Sequence, residues 1–94
     1  HVHCKDMRKD ILDKSLKEDL SFRQAFLEGA FTVPGDGFIN YEPFLKFLKE
    51  NHYNGWLVVE AEQDPAKANP LEYAKIGHNY LSNLCKKIDL KIIL

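Results

Sequence analysis

Ninety-four residues suffice for one small domain, and one of marginal stability, because little of its surface can be buried on folding. With 13 Lys and Arg against 14 Asp and Glu, the formal net charge of −1 leaves no basic footprint for nucleic acid or an anionic membrane surface, so neither is an expected partner. No apolar run approaches the ~20 residues of a membrane span, and residues 1–16 are too polar for a secretory leader. Cys4 and Cys85 form neither a CxxC pair nor a disulfide framework, so a reducing cytoplasm is the expected setting.

The chain opens on "HVHC", short, β-branched at Val2 and bounded by charge, which predicts a strand over residues 1–5. Alternation along it puts His1 and His3 on one face, Val2 and Cys4 on the other. "MRKDILDKSLKED" follows with Ile11, Leu12 and Leu16 at helical spacing, a thin stripe among charges. "SFRQAFLEG" predicts a second short helix with Ser21 as N-cap and Gly29 as stop. Pro34-Gly35-Asp36-Gly37 is dense turn chemistry.

Asn40 can then cap a helix through "YEPFLKFLKENH", with Pro43 in its first turn and Phe44, Phe47 and Leu48 as the inward face. "WLVVEAE" is the clearest strand, an apolar run suited to burial on both faces of a parallel sheet. The last helix has Asn69 at N-cap, Pro70 at the first helical position and Glu72 in the first turn. Tyr73, Gly77, Leu81, Leu84 and Ile88 trace one of its faces. The expected order is β–(α–α–loop)–α–β–α, an α/β arrangement. Two parallel strands with open edges do not make a self-sufficient fold, which points to a piece of a larger α/β protein or to assembly with other chains.

His3 and Glu60 stand out chemically. Each lies near the C-terminal end of a predicted strand, where parallel α/β folds assemble their sites. A carboxylate ending "LVVE" must be paired, metal-bound or placed at a pocket mouth, because burying it alone is costly. Imidazole beside carboxylate suits a first-row metal, although from its spacing alone HxH on a strand is more often structural. His1 reads as a strand-end histidine, packed or exposed, and Cys4 as a small buried apolar residue. Lys5 and Asp6 either pair with each other or a loop, or face a substrate. Asp36 either shapes its turn or faces the site, and Glu62 is either a contact one step beyond Glu60 or a solvated loop carboxylate. His52 and His78 read as structural or exposed. "HVHC" lacks the second ligand pair of a zinc finger.

"HVHCKDMR", "GAFTVPGDGFINYEPFLKFL" and "GWLVVEAEQDPAKANPLEYAKIG" together resemble the C-terminal third of the inosose dehydratase family of inositol catabolism, within the xylose-isomerase-like TIM barrels. The likeness is weakest in "KKIDLKIIL". It implies that residues 1–94 are an incomplete portion of a single (β/α)8 barrel domain, with "HVHCKD" as strand seven and "WLVVEA" as strand eight. It also implies a divalent metal, Mn²⁺ or Co²⁺, with His3 and Glu60 as two of four ligands and the other two on strands outside this chain. A thiol cofactor such as glutathione is left open, as is a homo-oligomer.

The implied reaction is dehydration of 2-keto-myo-inositol to a trihydroxycyclohexane dione through an enediolate-like intermediate. Glu60 is there both ligand and proton carrier, residues 8–37 are a lid, and Lys5, Asp6, Asp36 and Glu62, with Phe31, shape the pocket. Epimerisation or isomerisation of a keto sugar shares that intermediate and is the first alternative. A non-catalytic barrel piece, inactive alone, is the second.

Overall fold

The computed structural model describes residues 1–61 and 63–92. In chain order it contains β1 (Val2–Cys4), β2 (Asp6–Met7), α1 (Lys9–Lys17), α2 (Phe22–Glu28), β3 (Phe31–Thr32), α3 (Glu42–Glu50), β4 (Leu57–Val59) and α4 (Pro70–Lys87). The expected order is present, with one addition. β2 and β3 form a short antiparallel pair, Asp6 opposite Thr32 and Met7 opposite Phe31. Two-residue strands carry no readable periodicity, so tertiary pairing alone makes them.

β1 and β4 pair in parallel, with Val2 opposite Leu57, His3 opposite Val58 and Cys4 opposite Val59. Val2 N–H donates to the Trp56 carbonyl and Glu60 N–H to the Cys4 carbonyl, which extends the ladder at both ends. Val2, Cys4, Leu57 and Val59 share the face turned toward α3 and α4. There they join Tyr41, Leu45, Leu48, Leu81 and Cys85 in the core. Gly77 permits the close approach of α4, since a Cβ at that position would lie 2.6 Å from Val59 Cγ1.

Local signals set the helix ends. Ser21 and Gln24 form a reciprocal capping box on α2, and Gly29 closes that helix in the left-handed region at φ +86°. The Asn69 side chain accepts from the N–H groups of Leu71 and Glu72, with Pro70 behind it. Asn40 Oδ1 accepts from Glu42 N–H at 3.1 Å, so it does serve the start of α3, one position earlier than the residue that flanks the helix. The Val33 carbonyl accepts from Asp36 N–H across Pro34-Gly35, where Gly35 has φ +94°. That is the turn the dense Pro-Gly chemistry predicts.

Two expectations are corrected. The inward face of α3 is Tyr41, Leu45 and Leu48, not Phe44 and Phe47, which are 37% and 59% exposed. Tyr41 fixes the rotation of α3. Its N–H reaches the Tyr80 hydroxyl oxygen, and its own hydroxyl donates to the Lys5 carbonyl. Nor is β4 buried on both faces: Val58 is 37% exposed, because the helices cover only the other side of the sheet. No helix among the described residues is long and apolar enough to cross a membrane.

Candidate metal and substrate site

His3, Lys5, Val58 and Glu60 lie on the sheet face opposite the helices, at the carboxyl ends of β1 and β4. Residues two apart on a strand share a face, and the His3–Val58 register brings Glu60 diagonally over His3. His3 Nδ1 is 2.7 Å from Glu60 Oε2, and Lys5 Nζ is 3.5 Å from Glu60 Oε1. An ionised carboxylate only accepts, so the imidazole Nδ1–H donates. This hydrogen bond, with the Lys5 ammonium beside it, holds the Glu60 carboxyl below the usual carboxylate range against an opposing desolvation cost. The His3 and Glu60 side chains are 57% and 37% exposed, so the pair is open on the strand face.

Tyr41 supports this edge from the core side. Burial, then the neighbouring Cys4, pushes its phenol up to about 12, so it stays protonated and donates to the Lys5 carbonyl. Cys4 and Cys85 are buried free thiols, both pushed up by burial, and Cys4 further by Cys85. His1, His52 and His78 are exposed.

Asp6 pairs with a loop. Only 1% exposed, it accepts on Oδ1 from the N–H groups of Met7, Phe38 and Ile39 at 2.7, 3.1 and 3.1 Å. Gly37 passes so close that a Cβ there would meet Asp6 Cγ at 2.2 Å. Burying a carboxylate is costly unless donors satisfy it; three backbone N–H groups converge on Oδ1, while Oδ2 is buried with no hydrogen-bond partner among the described residues. Asp36 likewise shapes its own turn. Its Oδ2 accepts from Arg8 Nη2 at 2.9 Å and from the Thr32 hydroxyl at 2.7 Å. Phe31 stacks on Phe22 with ring centroids 5.2 Å apart. Glu62 lies outside the described residues.

Arg8 is the residue that sequence reasoning missed. Its guanidinium reaches the Gly29 carbonyl at 2.7 Å, Asp36 at 2.9 Å and the Tyr73 hydroxyl at 3.4 Å, joining three segments. One arginine in a charged run carries no sequence signal that separates it from a solvated one. A cleft of about 270 Å³ beside it is lined in part by Phe26, Gln63, Asp64, Lys67 and Tyr73. A larger one of about 410 Å³, walled by charged residues of α3 and α4 such as Glu42, Lys49 and Lys87, is lined by neither His3 nor Glu60.

Among the described residues no group of three or more His, Cys, Asp or Glu side chains gathers to hold a metal ion. The donor pair nevertheless fits a divalent cation in kind. Imidazole nitrogen and carboxylate oxygen are both ligands for first-row metals and the carboxylate is held ionised, but Nδ1 must give up the proton it donates to Glu60 before it can ligate. Further ligands would have to come from elsewhere.

Parallel strands joined through helices, with imidazole and carboxylate converging where both strands end, define the class of α/β proteins whose sites sit at the carboxyl edge of a sheet. Within that class the chain belongs to the xylose isomerase-like TIM barrel family, whose model matches residues 1–84. It is 58% identical over 81 residues to an inosose dehydratase of Clostridium beijerinckii, 86% of this chain and 27% of that protein. It is 56% identical over 92 residues to the rhizopine catabolism protein MocC of Rhizobium meliloti, 98% of this chain and 28% of that one. An inosose dehydratase of Bacillus velezensis is 54% identical over 83 residues. The chain spans little more than a quarter of the length of these curated relatives.

Proposed function

We propose that this chain is the C-terminal portion of an inosose dehydratase, strands seven and eight of one barrel domain, acting on 2-keto-myo-inositol. The observation that carries the reading is the His3–Glu60 contact of 2.7 Å at the ends of two parallel strands, in a chain similar to inosose dehydratases over most of its length. His3 and Glu60 would hold a divalent metal, Mn²⁺ or Co²⁺, together with two ligands from strands outside this chain. When bound, the metal supplies a Lewis acid for negative charge on substrate oxygens.

The chain's own residues then divide the work. Glu60, held ionised, is ready to take a cation. The same depression makes it a weak base while His3 donates to it, so its use in moving the proton next to the ketone requires that hydrogen bond to be given up. Lys5 brings a positive charge to the same edge and suits a hydroxyl or ketone oxygen of the cyclitol. Glu62 would extend that edge outward. Residues 8–37, built on α1 and α2, would cover the site, with Asp6 and Asp36 serving through the loops they hold.

Substitution tests the assignment in the full-length protein. His3→Ala and Glu60→Gln should each lose bound metal and lower turnover by about 100-fold or more, given that even indirect supports of a metal site are worth about 10–100-fold. Unchanged metal content and full turnover in either variant would sink it. Isomerised keto sugar in place of dione would instead favour an epimerase or isomerase on the same barrel.

A further inference from the structure

We propose that Asp36 is a positioning residue: clamped by Arg8, it sets the loop that follows Glu60 through Thr32 and Gln63. The inference rests on the reading of Glu60 as part of the site. Four side chains make the relay. Gln63 Nε2 donates to Thr32 Oγ1 at 3.4 Å, the Thr32 hydroxyl donates to Asp36 Oδ2 at 2.7 Å, and Arg8 Nη2 donates to the same oxygen at 2.9 Å. The polarity is consistent throughout. A hydroxyl that gives its proton to a carboxylate keeps lone pairs for an amide, and each bond in such a chain strengthens the next. Thr32 is fully buried, so the central link is shielded from water.

The relay has a second attachment. Lys67 Nζ donates to the Leu27 carbonyl at the end of α2 at 2.8 Å, and Arg8 Nη1 to the Gly29 carbonyl at 2.7 Å. Gln63 and Lys67 thereby tie their loop at two points, to Thr32 and to the end of α2, beside the cleft of about 270 Å³, while the Arg8 bond closes the α1–α2 hairpin on itself. Gln63 is three positions beyond Glu60 in the chain, so a shift of the relay reaches the carboxylate through a short stretch of backbone. Asp36 hydrogen-bonds neither His3 nor Glu60, and it acts through the loop.

Amide exchange and kinetics in the full-length protein test this together. The reporters are the position-36 amide, bonded to Val33, and the Lys67 and Ala68 amides, both bonded to the Asp64 carbonyl. Asp36→Asn should speed exchange at all three. Thr32→Val keeps the side-chain shape and cuts the relay beyond Asp36. It should speed exchange at Lys67 and Ala68 and leave position 36 slow. Both variants should lower kcat by roughly 10-fold, the lower end of what indirect supports contribute, with metal content and KM unchanged. Unaltered exchange at Lys67 and Ala68 in both variants would overturn the inference, as would altered exchange with full kcat. If the unsubstituted protein does not dehydrate its substrate yet shows the exchange pattern, the dehydratase reading fails and the coupling stands.

Discussion

The two faces of the β1–β4 sheet are made by the same two short strands and differ in almost every physical respect. Toward α3 and α4 the strands present Val2, Cys4, Leu57 and Val59, packed against Leu45, Leu48, Leu81 and Cys85. Away from the helices they present His3, with Lys5 and Glu60 just beyond their ends, joined by short polar contacts and open to solvent around Val58. The helix face is closed by this chain's own residues. The strand face is a row of polar groups whose apolar neighbour, Val58, is left 37% exposed. Period-two alternation therefore separates stability from function residue by residue, and a substitution can be aimed at one without touching the other.

The largest effect on that division should come from Leu45→Ala, which removes a fully buried side chain from the helix face. It should destabilise the full-length protein by about 2–5 kcal/mol in denaturant unfolding, while the metal binding proposed for His3 and Glu60 should persist in the folded variant. Lost metal affinity at retained fold would show that the two faces are coupled after all. Gly77→Ala is the next step down. The added methyl meets Val59 Cγ1 at 2.6 Å, on a short side chain fixed in a strand. An overpacking cost of about 1–3 kcal/mol should outweigh the ~1 kcal/mol that Ala gains over Gly in a helix. A thermal midpoint above that of the parent would mean that α4 can move off the sheet freely.

The smallest effect belongs to the outer tie between α3 and α4. Lys87 Nζ lies 2.7 Å from Glu42 Oε1, and its hydrogen bond holds the Glu42 carboxyl below the ordinary 4.5. A depressed carboxylate contributes stability above its unfolded value and loses it as pH falls through the folded one. Glu42→Gln should therefore lower the thermal midpoint slightly near neutral pH and converge on the parent in acid. A difference that instead grew below pH 4.5 would contradict the sign of the shift.

Much of this was legible in the chain. Ser21, Gly29, Asn69 and Pro70 mark helix ends through bonds that form within a few residues, so sequence alone places them. His3 and Glu60 could be paired because alternation and strand ends are also local rules. The failures are all non-local. Phe44 and Phe47 lie on an apolar stripe as plausible as that of Leu45, and only Tyr41, tied to Lys5 and Tyr80, decides which stripe turns inward. The loop partners of Asp6 were equally hidden, because the N–H groups that its Oδ1 accepts from belong to Phe38 and Ile39, more than thirty residues on. Arg8 and Gln63 gain meaning only from partners brought to them by the fold.

One assay would decide whether the open face is what the closed one supports: dehydration of 2-keto-myo-inositol by the full-length protein, followed by dione absorbance after chelation and again after Mn²⁺ or Co²⁺ is restored. Turnover that disappears with the metal and returns with it is the expected result. A folded, metal-loaded protein that forms no dione would contradict the account, and the His3–Glu60 edge would then belong to a different reaction.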